Sequence, residues 1–454
     1  MKVRITTAER KIAICRLRGS HFREYKDAGY IDTVSNIKGV CRLFSVPEIA
    51  KERFRIICWT LSINSALSIM DEERFSLPNI EEVVATLESP KITHVISLDM
   101  RSWFNQFPLH DDIRRFMAFK RNGNWYAPTR MPMGMRHSCL VAQVAIDILV
   151  ARGRTLCQKV FTYLDNVLIL GSELEVRSAL LAILQDFDEC SATVNDRIAL
   201  DALANGTSIP TAQDFCGVRL DYTNRTAKVL EKTINKLNRI WEAKENWSFR
   251  GATSFCSTAL FCTRVLKIPR DLIWNQMRMW SNLSKKVGQD SWDELAPWSS
   301  PDWKTLEVWF DLIHENQKIG ARISTDSFPE TEFIISDASA EQRAGIHVKY
   351  NQPNIVEVNT GPSMSKSKSS SVTEPWAVFH AAKALLDQID KTKRTVRVFC
   401  DNSGFVLSAK KGYSGSWHHN RVITLIRQVF LNSLHASGPF GPTLRSQHSA
   451  RPNP

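Results

Sequence analysis

Two apolar runs that stop on an acid constrain this chain more than any other feature. HVISLD (94–99) is one; FTYLDNVLIL (161–170) is the other, with Asp165-Asn166 set between FTYL and VLIL. Runs of four to six residues rich in Val, Ile, Phe and Tyr are strand-like. An Asp-Asn pair between such strands suits a tight hairpin turn, because both residues tolerate positive φ. Asp99, taken alone, suits the cap of a following helix. Taken together, two strands ending in carboxylates can lie side by side in one sheet. Such a pair can hold Mg²⁺, an oxygen-seeking ion that keeps positions free for substrate phosphates.

The 454 residues suffice for about three domains or subdomains. With 43% hydrophobic and 23% charged residues, the chain can bury a sizeable core. Its formal net charge of +12 fits a polyanionic partner such as nucleic acid. The 10 cysteines form no C-x-x-C and no zinc-spaced array, so reduced intracellular thiols are expected. MKVRITTAERKIAICRLRG lacks the apolar core of a signal peptide, and no run reaches the roughly 18 apolar residues of a membrane helix. The expected location is intracellular, in cytoplasm or nucleus, with no membrane partner.

Residues 1–45 are basic and weakly patterned. From Val46 to about Tyr222 short strand-like runs, among them FRIIC (54–58), mix with helical ones. Ile80, Val83, Val84 and Leu87 share a helical face, SCLVAQVAIDILVARG (138–153) reads as a helix with Gly153 as C-cap, and RSALLAILQDFDEC (177–190) as another. The lack of strict alternation favours α+β. From about Ala227 to Ser324 the chain is rich in Lys, Trp and Asn; Trp274, Trp280, Trp292, Trp298, Trp303 and Trp309 suit helix packing better than base stacking. FIISD (333–337) then begins a new pattern, with GIHVKY (345–350) as its hairpin partner. A Ser/Lys-rich loop, PSMSKSKSSSVT (362–373), leads to a helix at 374–389 with Thr373 as N-cap, and VRVFCD (396–401) is a further strand ending in an acid.

Five segments, in order, resemble the fingers and palm of reverse transcriptases over about 170 residues. ERFRIICWTLSIN (52–64) resembles the fingers strand that ends in the family's Asn, which places Arg55 where a triphosphate-contacting arginine sits. LDMRSWFNQFPL resembles motif A; on that match Asp99 is a metal aspartate, the Met100 carbonyl assists it, and Phe104 is the bulky gate that rejects a 2′-hydroxyl. TRMPMGMRHSCLVAQ (129–143) resembles motif B, with Met133 and Gly134 under the templating base pair. FTYLDNVLIL resembles motif C, with Asp165 as the second metal ligand, and DFCGVRLDY (214–222) resembles the segment after motif D. Three positions depart from the pattern. Cys139 replaces a proline; Ile198 stands where motif D has a lysine, three residues after Asn195 and next to Arg197; and Asn166 replaces the second aspartate of motif C.

The last third resembles ribonuclease H, through Asp337 of FIISDAS, Glu374 of EPWAVFHAAKALL and Asp401 of FCDNSGFVLSAKKG. The bland alternative makes each of these acids a cap or turn former. The resemblance implies that all three hold metal. No Asp or Glu follows Asp401, so the family's fourth acid is missing and a truncated, impaired nuclease is expected. The implied architecture is α+β: a basic segment at 1–45, fingers and palm at 46–226, thumb and connection at 227–325, and a C-terminally truncated ribonuclease H-like α/β domain at 326–454. The implied activity is RNA-directed DNA synthesis by a retrotransposon enzyme. It implies Mg²⁺ (or Mn²⁺) as cofactor, and an RNA template, a DNA primer, RNA–DNA hybrid and dNTP as partners. The spellings RFRIICW and FCGVRLDY lean toward tyrosine-recombinase elements of the DIRS/VIPER kind over LTR elements. Asn166 keeps a second reading open, a decayed or co-opted copy that binds nucleic acid without polymerising.

Overall fold

A computed structural model describes residues 17–48, 53–60, 64, 75–285, 291–296, 300–323, 330–349, 352–362, 369–385 and 395–434. The basic stretch 1–16, Trp298, positions 363–368 of the Ser/Lys-rich loop, positions 386–389 and the tail from 435 lie outside these. The chain divides into two compact units, Met1–Thr223 and Asn224–Pro454. Strands and helices are mixed in both, as the α+β expectation requires. Among the described residues no helix is long and apolar enough to cross a membrane.

In the first unit, helix α1 (Gly19–Asp27) precedes strand β1 (Ile31–Thr33) and a hairpin of β2 (Arg42–Glu48) with β3 (Arg53–Trp59). Helix α2 (Ile80–Ala85) is capped by the Asn79 side chain and buries Val83 and Val84, with Leu87 beyond it. Strand β4 (His94–Asp99) leads to β5 (Phe119–Arg121) and β6 (Asn124–Pro128), which pair with each other while β6 also takes β1. Helix α3 (Ser138–Leu149) is followed by β7 (Lys159–Tyr163), β8 (Asn166–Gly171), α4 (Glu173–Glu189) and α5 (Arg197–Ala204). A short hairpin of β9 (Ala212–Phe215) with β10 (Val218–Asp221) closes the unit.

The sheet that matters most has the order β4-β8-β7, antiparallel throughout. Val167, Leu168, Ile169 and Leu170 of its central strand are fully buried, which explains the unbroken apolar run. Helices α3 and α4 contribute Ala142, Ile146, Leu180, Ile183 and Phe187 to the same core. A capping box at Ser172 and Glu175 starts α4. The helix predicted over 138–153 instead stops at Leu149 and resumes as a short turn, Ala151–Arg154. Gly153 therefore caps nothing. A Cβ there would meet Ile183 Cδ1 at 2.5 Å, so the glycine permits close approach of the turn to α4.

The second unit opens with β11 (Thr226–Val229), followed by helices α6 (Glu231–Glu242), α7 (Phe249–Val265), α8 (Trp274–Ser284) and α9 (Ser300–Ile319). Strand β12 (Ala321–Arg322) then pairs antiparallel with β11. Two of its tryptophans show the expected packing, while Trp292 is exposed. Trp309 is fully buried with its Nε1 donating to Thr263, and Trp303 lies 5.3 Å from Trp247. A four-stranded sheet follows, β15-β14-β13-β16, from β13 (Glu330–Ala338), β14 (Gln342–Lys349), β15 (Gln352–Pro362) and β16 (Thr395–Phe399). Strand β16 runs parallel to β13, and the others are antiparallel. Helices α10 (Ser370–Leu385), α11 (Ser403–Lys411) and α12 (Trp417–Leu434) bury Val378, Ala381, Phe405, Val422 and Ile426 with Ile334 and Val398 of the sheet.

Helix α10 begins four residues earlier than its sequence suggests. Thr373 lies inside it, donating to the Ser369 carbonyl, so the preceding serines start the helix. Pro375 is thus internal, and a proline there cannot donate to the carbonyl four residues back. That carbonyl belongs to Ser371, and it lies 2.8 Å from His419 Nε2 of α12. A ring N–H from a distant helix therefore takes the place of the missing backbone donor.

One glycine ties two parts of the first unit together. Gly134 has φ +108°, and a Cβ there would overlap the Cys58 carbonyl oxygen of β3. Around it, Cys58 N donates to the Met133 carbonyl at 3.0 Å, and Asn64 Nδ2 donates to the Gly134 carbonyl at 2.9 Å. Any side chain here combines left-handed backbone strain with a backbone clash. Gly134→Ala is expected to destabilise the protein by about 2 kcal/mol or more. Urea denaturation measures this, and a loss under about 0.5 kcal/mol would contradict it.

Candidate active site

The carboxylates predicted from the strand ends do come to one place. Asp99 is the last residue of β4, and its register partner on β8 is Asn166. Asp165 precedes Asn166, and its carbonyl accepts from Met100 N at 2.7 Å. The two acids thus flank one rung at the end of the β4–β8 ladder. The hairpin differs by one residue from its sequence reading. Tyr163 pairs with Asn166, so the turn residues are Leu164 and Asp165, with Leu164 at φ +55°. Asn166 is the first residue of β8, not part of the turn. Leu164 holds its positive φ because its N–H donates to Gln143 Oε1 at 2.8 Å, while Gln143 Nε2 reaches Thr162 Oγ1 at 3.0 Å. Gln143, a buried residue of α3, therefore shapes the turn that carries Asp165.

Both carboxylates are engaged by amides. Asn166 Nδ2 donates to Asp165 Oδ1 at 2.9 Å, and Asn195 Nδ2 donates to Asp99 Oδ2 at 2.9 Å. Asn195 also fixes the backbone, its N–H donating to the Asp99 carbonyl at 2.9 Å. Beside it, Ile198 is 88% exposed and offers no proton. Arg197 cannot substitute, since it forms a fork with Asp188 at 2.6 and 2.8 Å and reaches Asp201 at 2.9 Å. Those partners drive its pKa further up. Phe104 lies in a 3₁₀ turn, Trp103–Gln106, and packs against the core cluster under the sheet. Arg55 is exposed on β3. Met133 is half-buried, and the tight contact that Gly134 permits is with β3.

The second set of acids forms its own cluster. Asp337 stands near the end of β13, exposed, with one oxygen accepting from Ala338 N. Asp401 follows β16, and Glu374 is buried on α10. Burial, then a hydrogen bond with Asp401 and the charges of Asp401 and Asp337, push the Glu374 carboxyl up to about 7. Its Oε2 is buried without a hydrogen-bond partner. Cys400 was not legible as a site residue. Ligand atoms of Glu374, Cys400 and Asp401 lie within 4.8 Å of one another, and burial pushes the Cys400 thiol up to about 12. Only the approach of α10 to the residues just after β16 reveals it.

Residues 49–201 match the family model for reverse transcriptase (RNA-dependent DNA polymerase). The chain carries a reverse transcriptase domain. A stretch of 100 residues is 30% identical to the retrovirus-related Pol polyprotein from transposon gypsy of Drosophila melanogaster. That stretch is 22% of this chain and 9% of the polyprotein, so the chain matches a small part of its relative's length. Among solved structures, the foamy viral protease-reverse transcriptase dRH in complex with double-stranded DNA covers 100% of this chain and 74% of its own. Its TM-score is 0.52 at 12% identity. A further foamy viral protease-reverse transcriptase structure with double-stranded DNA has a TM-score of 0.50 at 12% identity, covering 99% and 85%. At such identity the likeness is one of fold. It agrees with a polymerase followed by a ribonuclease H-like domain.

Use of a divalent metal goes with the reverse transcriptase family. The donors fit a hard ion, since Asp99 and Asp165 offer carboxylate oxygens at one strand end and Glu374 holds a buried oxygen with no partner.

The Glu374 shift has a measurable sign. Its pKa rises from an ordinary 4.5 to about 7 on folding, so the folded state holds this proton more tightly than the unfolded one. Stability from this group is full below pH 4.5 and is lost as pH rises toward 7. In chelator-treated protein, Glu374→Gln should match the native chain near pH 4.5 and become progressively the more stable of the two as pH rises to about 7, with the gap level above that. Thermal denaturation of both proteins across pH 4.5 to 8 tests this; a gap that does not widen with pH would refute it.

Proposed function

We propose that the chain is an RNA-directed DNA polymerase of a retroelement. The observation that carries this is the joint placement of Asp99 and Asp165 at one end of the β4–β8 ladder, secured by the bond from Met100 N to the Asp165 carbonyl. Asp99 and Asp165 hold Mg²⁺ or Mn²⁺, with the Met100 carbonyl beside them. Bound metal supplies a more acidic primer 3′-hydroxyl and neutralises charge on the leaving pyrophosphate. The chain's own residues position the reactants. Arg55 pairs with the triphosphate, and Phe104, braced on the core, rejects a 2′-hydroxyl and so selects deoxynucleotides. Met133 and Gly134 lie under the templating pair.

The partners are an RNA template and a DNA primer. The net charge of +12 supports them, as do cations laid over aromatic rings on the first unit: Arg18 on Phe54, Arg42 on Trp59 and Lys120 on Trp125. Association should weaken as salt rises. The domain limits follow the sequence reading: fingers and palm at 46–226, thumb and connection at 227–325, and the ribonuclease H-like domain at 326–454. Asp337, Glu374 and Asp401 are the metal ligands of the last domain.

A second reading, a nucleic-acid-binding remnant without polymerase activity, is favoured by Asn166. Its amide removes one negative charge and binds Asp165 Oδ1, an oxygen needed for the metal. Primer extension on an RNA template with Mg²⁺ or Mn²⁺ separates the two. Slow extension is expected, rising about tenfold or more in Asn166→Asp as charge is restored and the amide donor removed. Asp99→Ala and Asp165→Ala should abolish it. Extension untouched by Asp99→Ala would overturn the polymerase reading, and none from the native chain or Asn166→Asp would support the remnant.

A further inference from the structure

The β16 end carries a thiol that a hard-metal site does not need. Cys400, half-buried, immediately precedes Asp401, and its Sγ lies with a carboxylate oxygen of Glu374 and of Asp401 in one group spanning no more than 4.8 Å. The carboxylates alone would not make a case. The added observation is Glu374 itself, only 7% exposed, with its Oε2 buried and without a hydrogen-bond partner. A buried anionic oxygen without a donor is costly unless a cation or proton meets it. A thiol within reach changes which cation does so best. Mg²⁺ gains little from sulfur, whereas Zn²⁺ takes mixed thiolate and carboxylate ligands and is bound more tightly by softer donors.

We propose that Cys400, Glu374 and Asp401 form a site for thiophilic divalent ions, Zn²⁺ and its analogue Cd²⁺, which overlaps the carboxylate cluster and displaces Mg²⁺ while filled. On binding, the Cys400 S–H bond breaks, a metal–sulfur bond forms, and the proton leaves to solvent. The site deepens the ribonuclease H-like reading of this cluster, but zinc binding itself needs no nuclease activity. It would make the domain sensitive to free zinc, with Cys400 as the residue that sets metal preference.

Cadmium titration of the full-length, chelator-treated protein reads the thiolate directly, through the ultraviolet thiolate-to-cadmium charge-transfer band. Isothermal titration with Zn²⁺ reads the affinity. Relative to the native chain, Cys400→Ser should lose one thiolate's share of the band and about tenfold or more in zinc affinity. Glu374→Gln, which keeps the thiol, should also weaken zinc binding. Circular dichroism checks that both variants fold, with Cys400→Ala in reserve for the serine variant. Identical cadmium bands and zinc affinities in the native chain and a folded Cys400 variant would overturn the proposal. Hybrid cleavage in Mg²⁺ without a Cys400-dependent band would overturn it alone. A Cys400-dependent band in a chain that cleaves no hybrid even in Mg²⁺ would remove the nuclease reading and leave the zinc site standing.

Discussion

The antiparallel pairing of β4 with β8 is the constraint on which the polymerase site depends. It sets Asp99 opposite Asn166 and, through the bond from Met100 N to the Asp165 carbonyl, brings the turn acid to the same strand end. A slip of one residue would send these side chains to the other face and separate the acids. Strand β8 is buried on both faces, so its apolar pattern alone cannot fix that register. The fixing comes from polar bonds at both ends of the ladder. Thr93 N donates to the Gly171 carbonyl at one end, and Met100 N donates to the Asp165 carbonyl at the other.

The same division of labour recurs around the sheet. Apolar contacts from α3 and α4 supply bulk stability, while single polar or glycine positions decide exact placement. Gly134 lets the segment before α3 lie against β3. Asn64, five residues beyond β3, holds that segment at two points, donating to the Gly134 carbonyl and accepting from Arg136 N at 2.9 Å. In the second unit His419 does comparable work, restoring a partner to the carbonyl that Pro375 leaves without its usual donor and so anchoring α10 to α12. Glu374 sits one residue before that proline.

What the sequence made legible follows from this. Strand ends and their acids could be read, because hydrophobic runs and the residues that stop them are local. Asp99, Asp165, Asp337 and Asp401 are read in this way, whereas Glu374, on a helix, is singled out by the resemblance to ribonuclease H. The turn was placed one residue late, because Asp-Asn is the better turn former by propensity, yet the distant Gln143 Oε1 stabilises Leu164 at positive φ. The start of α10 was missed because Ser369 and Ser370 read as loop. Pro375 reads as a first-turn residue, since the donor that serves the Ser371 carbonyl in its place, His419, lies 48 residues from that carbonyl. Cys400 had no signal of its own, as a cysteine in a strand is usually core. The Arg197 fork was equally hidden, being made with acids on two helices.

The two acid clusters handle like charge in opposite ways, and this bears on how each can bind metal. At the polymerase end, Asp99 is exposed and both acids are met by neutral amides, from Asn195 and Asn166. Water and amides screen the charges, and a metal must displace a donor to bind. At the β16 end, burial and the neighbouring Asp401 and Asp337 raise the Glu374 pKa to about 7, so below that pH a proton does the neutralising. There a metal displaces a proton, so binding strengthens with pH in a way the polymerase site need not share. Asn166 matters most in this light. An aspartate in its place would turn the first cluster from an amide-screened pair into a repelling trio, raising the gain when a cation enters. The present residue gives a quieter ground state and a weaker hold on the ion, and a single side chain sets the balance.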